Sequence, residues 1–271
     1  GAWYRAGGPE NPPNDNEYSP PFSDAAIQRY RDGSDPVLYP NTNWIDEVLK
    51  PYSTQQRINL SANGGTDAAR YFLSFGATTQ DGSFRNDPTQ YNQYNMRVKV
   101  DVNLTDNLTV GANLSAILND KKYSSVASDE ENWVNLKNVI HSNPTLVSRY
   151  PNGLIGPGRL GENPLLLDQR GYITRDDAPI FSTFTATYKI PFVEGLRLEG
   201  SYNYDMSNQH EKRWRLPYYF HEYNTATEEY ERRQGTGSAT AELWDTYRRE
   251  TTRLYNLRIN YDRTFYKHNI G

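Results

Sequence analysis

From about residue 55 onward, apolar and polar side chains alternate along the chain, the period-two signature of strands with one apolar face. Ile58, Leu60 and Ala62 alternate with Arg57, Asn59 and Ser61. Tyr71, Leu73, Phe75 and Ala77 alternate with Ser74, Gly76 and Thr78, and Val98, Val100, Val102 and Leu104 with Arg97, Lys99, Asp101 and Asn103. Leu108, Val110, Ala112, Leu114 and Ala116 continue the pattern, followed by Phe184, Ala186 and Tyr188, then Leu196, Leu198, Tyr202 and Tyr204, then Tyr255, Leu257, Ile259 and Tyr261. The pattern predicts seven strands, at about 55–63, 70–79, 95–105, 107–118, 180–190, 196–207 and 251–264. Before residue 54 there is no alternation. Eight prolines up to Pro51 predict a loop region over 1–54, with helical turns beginning at Ser23 and Asn43.

The connections between these strands alternate short and long. Asn63–Asp67, Thr105–Asn107 and Pro191–Gly195 are tight, whereas 80–94, 119–179 and 208–250 are long. In an antiparallel up-and-down meander every second connection lies at the same end, so one end carries tight turns and the other long loops. Strands of about ten residues exceed the usual five or six. Together these features predict an all-β meander forming part of a transmembrane β-barrel, with residues 55–271 as barrel wall. A half-buried soluble sheet also alternates, so a soluble β-rich glycan-binding module that uses loop aromatics stays open at this point.

Composition narrows the choice. Of 271 residues, 36% are hydrophobic and 23% charged, with a net charge of -4. No apolar run approaches the ~18 residues of a membrane helix. The opening Gly1-Ala2-Trp3-Tyr4 carries no leader pattern, so the chain is expected to stay inside or to be a piece of something longer. With no Cys there is no disulfide framework, thiolate metal site or Cys nucleophile. The acidic balance argues against nucleic acid as a partner.

The stretch Asn41-Thr42-Asn43-Trp44-Ile45-Asp46, then Gln55-Gln56-Arg57-Ile58-Asn59-Leu60-Ser61-Ala62-Asn63-Gly64-Gly65, resembles the SusC/RagA-type TonB-dependent outer-membrane transporters. Tyr71–Gly76, Gly82, Asn95-Met96-Arg97 and Leu104–Gly111 extend the likeness, which covers about residues 41–118. The resemblance implies a barrel of about 22 strands with a plug, of which this chain would supply about seven. It implies TonB-driven import of oligosaccharides or peptides across the outer membrane of a Gram-negative bacterium. A SusD-like surface lipoprotein would be the partner, and TonB would act through parts not in this chain. A siderophore-type receptor would share the architecture without the lipoprotein.

Motifs for chemistry are lacking. His141, His210, His221 and His268 show no metal-ligand spacing, and Asp32-Gly33-Ser34-Asp35 fails the EF-hand pattern and predicts a turn. Gly153, Gly156, Gly158 and Gly161 have no strand–helix context for phosphate, so no enzyme and no cofactor is expected, and calcium in the loops has no motif behind it. The candidate substrate-binding residues are the loop aromatics Trp3, Tyr4, Trp133, Tyr218 and Tyr219, whose rings offer large stacking surfaces. Trp44 is expected to pack a short amphipathic turn, and 129–140 to form a loop helix. On the polar face, Arg57, Arg97, Lys99, Asp101, Arg197, Glu199, Arg258 and Asp262 are expected to line the lumen.

Overall fold

The computed structural model describes residues 22–86, 88–125, 132–266 and 268–270. Two helical turns precede the sheet. Helix α1 (Asp24–Asp32) starts where the Ser23 hydroxyl accepts the Ala26 N–H, and stops at Gly33, whose φ of 67° suits a residue without Cβ. Helix α2 (Trp44–Val48) starts where the Asn43 side chain accepts the Asp46 N–H.

The strands are β1 (Gln55–Gly65), β2 (Ala69–Asp81), β3 (Gln90–Asn103), β4 (Leu108–Ser124), β5 (Gly171–Asp177), β6 (Ile180–Lys189), β7 (Leu196–Arg215), β8 (Tyr219–Asn224), β9 (Glu229–Gln234), β10 (Glu242–Tyr261), β11 (Arg263–Phe265) and β12 (His268–Ile270). One antiparallel meander of eight strands follows the order β1-β2-β3-β4-β5-β7-β10, with β6 also between β4 and β7. Strands β5 and β6 share one place in the sheet. β5 pairs the upper parts of β4 and β7 and β6 the lower parts, with no residue gained or lost at the junction. The ladder breaks only at Ala178 and Pro179, because proline has no N–H to give.

Register gathers the seven alternating segments into one surface. Directly opposed residues share a face, so Ile58, Ala77, Tyr94 and Leu118 form one row and Leu60, Phe75, Met96 and Ala116 the next. A third row runs Tyr71, Val100, Ala112, Phe184, Tyr202, Tyr255. The resulting apolar band is not covered: Ile58 is 60% exposed, Ile259 67% and Leu257 79%. Tyr71, Tyr188 and Tyr261 stand on it toward the tight turns.

The band runs obliquely to the rows. On β2 it spans Tyr71 to Ala77, and on β10 Tyr261 to Tyr255, so the row that is its tight-turn margin on β2 becomes its long-loop margin on β10. That is a shift of six residues, about 20 Å at about 3.3 Å per residue, over five strand steps of about 4.8 Å. The implied strand tilt is about 40°, within the roughly 35–45° of closed barrels.

Beyond the band the strands continue, which corrects the expected loops at 80–94, where β2 runs to Asp81 and β3 starts at Gln90, and at 119–179 and 208–250. β4 runs to Ser124, and β7 and β10 are each 20 residues long. Within 208–250 lies the β8–β9 hairpin, and within 119–179 lie β5, helix α3 (Asn132–His141) and a 3₁₀ turn, Pro164–Arg170. Backbone ladder bonds hold these extensions, so the strand persists where apolar alternation ends. Of the helix expected over 129–140, residues 129–131 lie outside the described residues.

The buried apolar core lies among the loops. Trp44, Val48, Val139 and Leu165 form one cluster, with Phe84, Leu146 and Ile155 against it, and Leu166, Tyr218 and Phe220 form another. The Trp44 indole N–H donates to the Asn143 carbonyl at 3.0 Å, so α2 is tied to the β4–β5 loop 99 residues away. Trp44 is the structural residue its amphipathic turn suggests.

Candidate functional site

The face opposite the apolar band is polar across the sheet. Arg57 lies opposite Thr78, and its Nε donates to the Thr78 hydroxyl at 3.3 Å. Arg97 Nε donates to Asn113 Oδ1 at 2.9 Å, and Lys99 pairs with Asp101 at 3.1 Å. Nearer the tight turns, Arg197 meets Glu199 at 3.1 Å and Asp262 at 3.2 Å, while Arg258 reaches Glu199 at 3.7 Å. All eight charged residues stand on this one face, in two groups: Arg57, Arg97, Lys99 and Asp101 over β1–β3, and Arg197, Glu199, Arg258 and Asp262 over β7–β10. Gly76 and Gly111 leave room on it, for a Cβ at Gly76 would meet the Asn59 and Asn95 amides and one at Gly111 the Thr185 hydroxyl and Asp101.

Farther toward the long loops the same face carries a second charged network absent from the alternation. Arg175 on β5 donates through Nε to Glu211 Oε2 at 2.9 Å and again through Nη2, and Arg213 reaches Glu211 Oε1 at 3.4 Å. Lys121 and Asp177 add a pair at 3.8 Å. Register parity was the available signal, but it extends to these residues only once β5 is known to be a strand.

The loop aromatics divide. Trp3 and Tyr4 lie outside the described residues, as does the side chain of Trp133. Tyr218 is 3% exposed, with the Arg170 guanidinium 4.1 Å from its ring centroid and its hydroxyl bonded to the Gly161 carbonyl and Thr236. No face of that ring is free to stack on a ligand, which corrects its assignment as a binding residue. Next to it Tyr219 is half-buried beneath the Arg232 guanidinium, 3.5 Å from its centroid. On the same hairpin Tyr223 and Tyr230 pack with Tyr150, whose hydroxyl oxygen accepts the Tyr223 N–H at 3.2 Å. Burial pushes the Tyr150 hydroxyl pKa above its ordinary value; the Tyr223 hydrogen bond opposes this, and Tyr230 and Glu222 add to it.

The Asp32–Asp35 segment is a turn: Asp32 Oδ1 accepts the Ser34 N–H at 2.9 Å and Asp35 Oδ1 the Leu38 N–H at 3.1 Å. Among the described residues no three His, Asp or Glu side chains converge as a metal site would require. No described helix is long and apolar enough to cross a membrane, which says nothing about crossing by strands.

No family model matches the chain, and no curated protein matches it in sequence. Solved structures match in fold. A structure of the RagAB peptide importer in a closed-closed state aligns with a TM-score of 0.62 at 16% identity, over 87% of this chain and 25% of that one. The importer in an open-open state aligns at 0.60 and 15%, over 94% and 28%. A third structure, of the RagAB peptide transporter, aligns at 0.59 and 15%, over 89% and 27%. The chain thus spans about a quarter of the length of the chains it matches, and the likeness at these identities is one of fold.

Proposed function

We propose that this chain is a section of the wall and outer loops of an outer-membrane nutrient importer. The observation that carries the proposal is the uncovered apolar band, backed by a continuous polar face and inclined to the strands as in a closed barrel. In water such a band would be a large contiguous exposed apolar surface, of the kind that marks a contact with lipid or with a partner. Against lipid it is the required solvent-facing surface, and the polar face with Arg57, Arg97, Lys99, Asp101, Arg197, Glu199, Arg258 and Asp262 becomes the lumen wall.

On this reading the imported nutrient is an oligosaccharide or a peptide. The likeness in fold to solved structures of a peptide importer supports the peptide. A SusD-like lipoprotein would meet the packed loop end, and TonB would act through parts of the protein beyond this chain. Burial of Tyr218 weakens the alternative of a soluble glycan-binding module working through its loop aromatics.

The test is fractionation of cells expressing the full-length parent protein. Extraction from the outer membrane only by detergent is the expected result. A parent protein that is soluble and monodisperse without detergent would overturn the proposal.

A further inference from the structure

Two arginines on the apolar side of the sheet have no carboxylate partner among the described residues. Arg249 and Arg253 stand on β10 in the parity of Tyr255, just past the long-loop margin of the band. The Arg253 guanidinium lies 5.6 Å from the Tyr204 ring centroid, and Arg249 Nη2 is 3.2 Å from Met206 Sδ. Tyr204 and Met206 are two residues apart on one face of β7, so both cations lie against the same short stretch of that strand. Nearby acids are engaged elsewhere: Asp245 is 2.6 Å from the His210 ring, and Glu250 pairs with Arg248 on the opposite face.

Directly below, toward the tight turns, Tyr255, Tyr202 and Phe184 stack side by side, with centroids 4.8 and 6.4 Å apart and interplanar angles of 27° and 18°. One row farther, Gly200 sits between Ala186 and Leu257. The missing side chain leaves an apolar groove of about 450 Å³. A Cβ at Gly200 would meet nothing within 4 Å.

We infer that this column is a site for one phosphorylated lipid of the outer leaflet. Its phosphate lies between Arg249 and Arg253, and one acyl chain runs down the stacked rings into the groove at Gly200. Guanidinium groups recognise phosphate through charge and paired N–H donors, and at a membrane boundary the anion removes the cost of two uncompensated charges. The Tyr rings suit the layer between headgroup and chain, being apolar in body and polar at the tip. This inference rests on the proposed reading that the band meets lipid.

The experiment is native mass spectrometry of the detergent-purified full-length protein with added phosphorylated lipid A, using the same lipid stripped of phosphate as the control. The wild type should retain the phosphorylated form preferentially. Arg249→Gln and Arg253→Gln should each lower retention about fivefold, as expected for one basic side chain at an anionic surface. Gly200→Leu places a side chain in the groove from a Cβ that meets nothing within 4 Å and should reduce retention by a similar factor, so it keeps the test decisive even where the arginine variants misassemble. Wild-type retention of both lipid forms alike, or undiminished retention in Gly200→Leu protein that reaches the outer membrane, would overturn the lipid site and leave the importer reading standing. A protein soluble without detergent would overturn both.

Discussion

Tyr218 and Tyr219 are adjacent in the chain and have different surroundings. Tyr218 is buried under Arg170 and against the Gly235 backbone, whereas Tyr219 is half-buried beneath Arg232. In the sequence both are loop tyrosines, because what buries a ring is a partner 48 residues away. The same holds for Tyr150, which meets Tyr223 and Tyr230 only in the folded loops. Its raised pKa sets a direction. The neutral hydroxyl is favoured in the folded loops, so this contribution is fully present below the ordinary value near 10 and is lost as pH climbs through the higher folded value. The Tyr150→Phe protein should therefore show a shallower loss of loop order above about pH 10 than the wild type. Amide hydrogen exchange over residues 146–156 and 219–234 measures it, and identical alkaline profiles would show that Tyr150 plays no part.

Among the elements, the strands within the band are the most legible. Their apolar side chains recur every second residue because successive side chains on a strand point to opposite faces, so one apolar and one polar face impose a two-residue period. Face assignment makes a sharp prediction at neighbouring positions on β6. Phe184→Arg puts a charge on the middle of the band and should destabilise the refolded full-length protein by about 2–4 kcal/mol, whereas Thr185→Arg on the polar face should stay within about 0.5 kcal/mol. Urea titrations in lipid vesicles compare them, and equal costs would mean the two faces meet the same medium. Where strands leave the band the pattern fades. Gly171-Tyr172-Ile173-Thr174-Arg175-Asp176-Asp177 carries no alternation, and Pro179 hides its continuity with β6. β5 is held by ladder bonds and by Arg175–Glu211, neither of which leaves a periodic trace.

At the scale of the molecule, the three tight turns fall at one end of the sheet and the loops at the other, so the chain has a polarity that labelling can read. In the full-length protein, a single cysteine at Thr227, in the β8–β9 turn, should react with a membrane-impermeant maleimide on intact cells. One at Asp106, in the β3–β4 turn, should react only after lysis. The reverse pattern would invert the orientation. The outer edges of β1 and β10 have no strand beside them among the described residues, in keeping with a section of a wider wall. By itself, the sequence determined which residues share a face, which connections are tight and where the meander runs, since side-chain alternation and turn chemistry are local. Only the tertiary structure decided the oblique course of the band, the merging of β5 with β6, the extension of β7 and β10 beyond the band, and the burial of Trp44 and Tyr218. Each of these depends on register or contact between segments far apart in the chain, and a period of two residues carries no record of which distant strand, or which residue of it, will lie opposite.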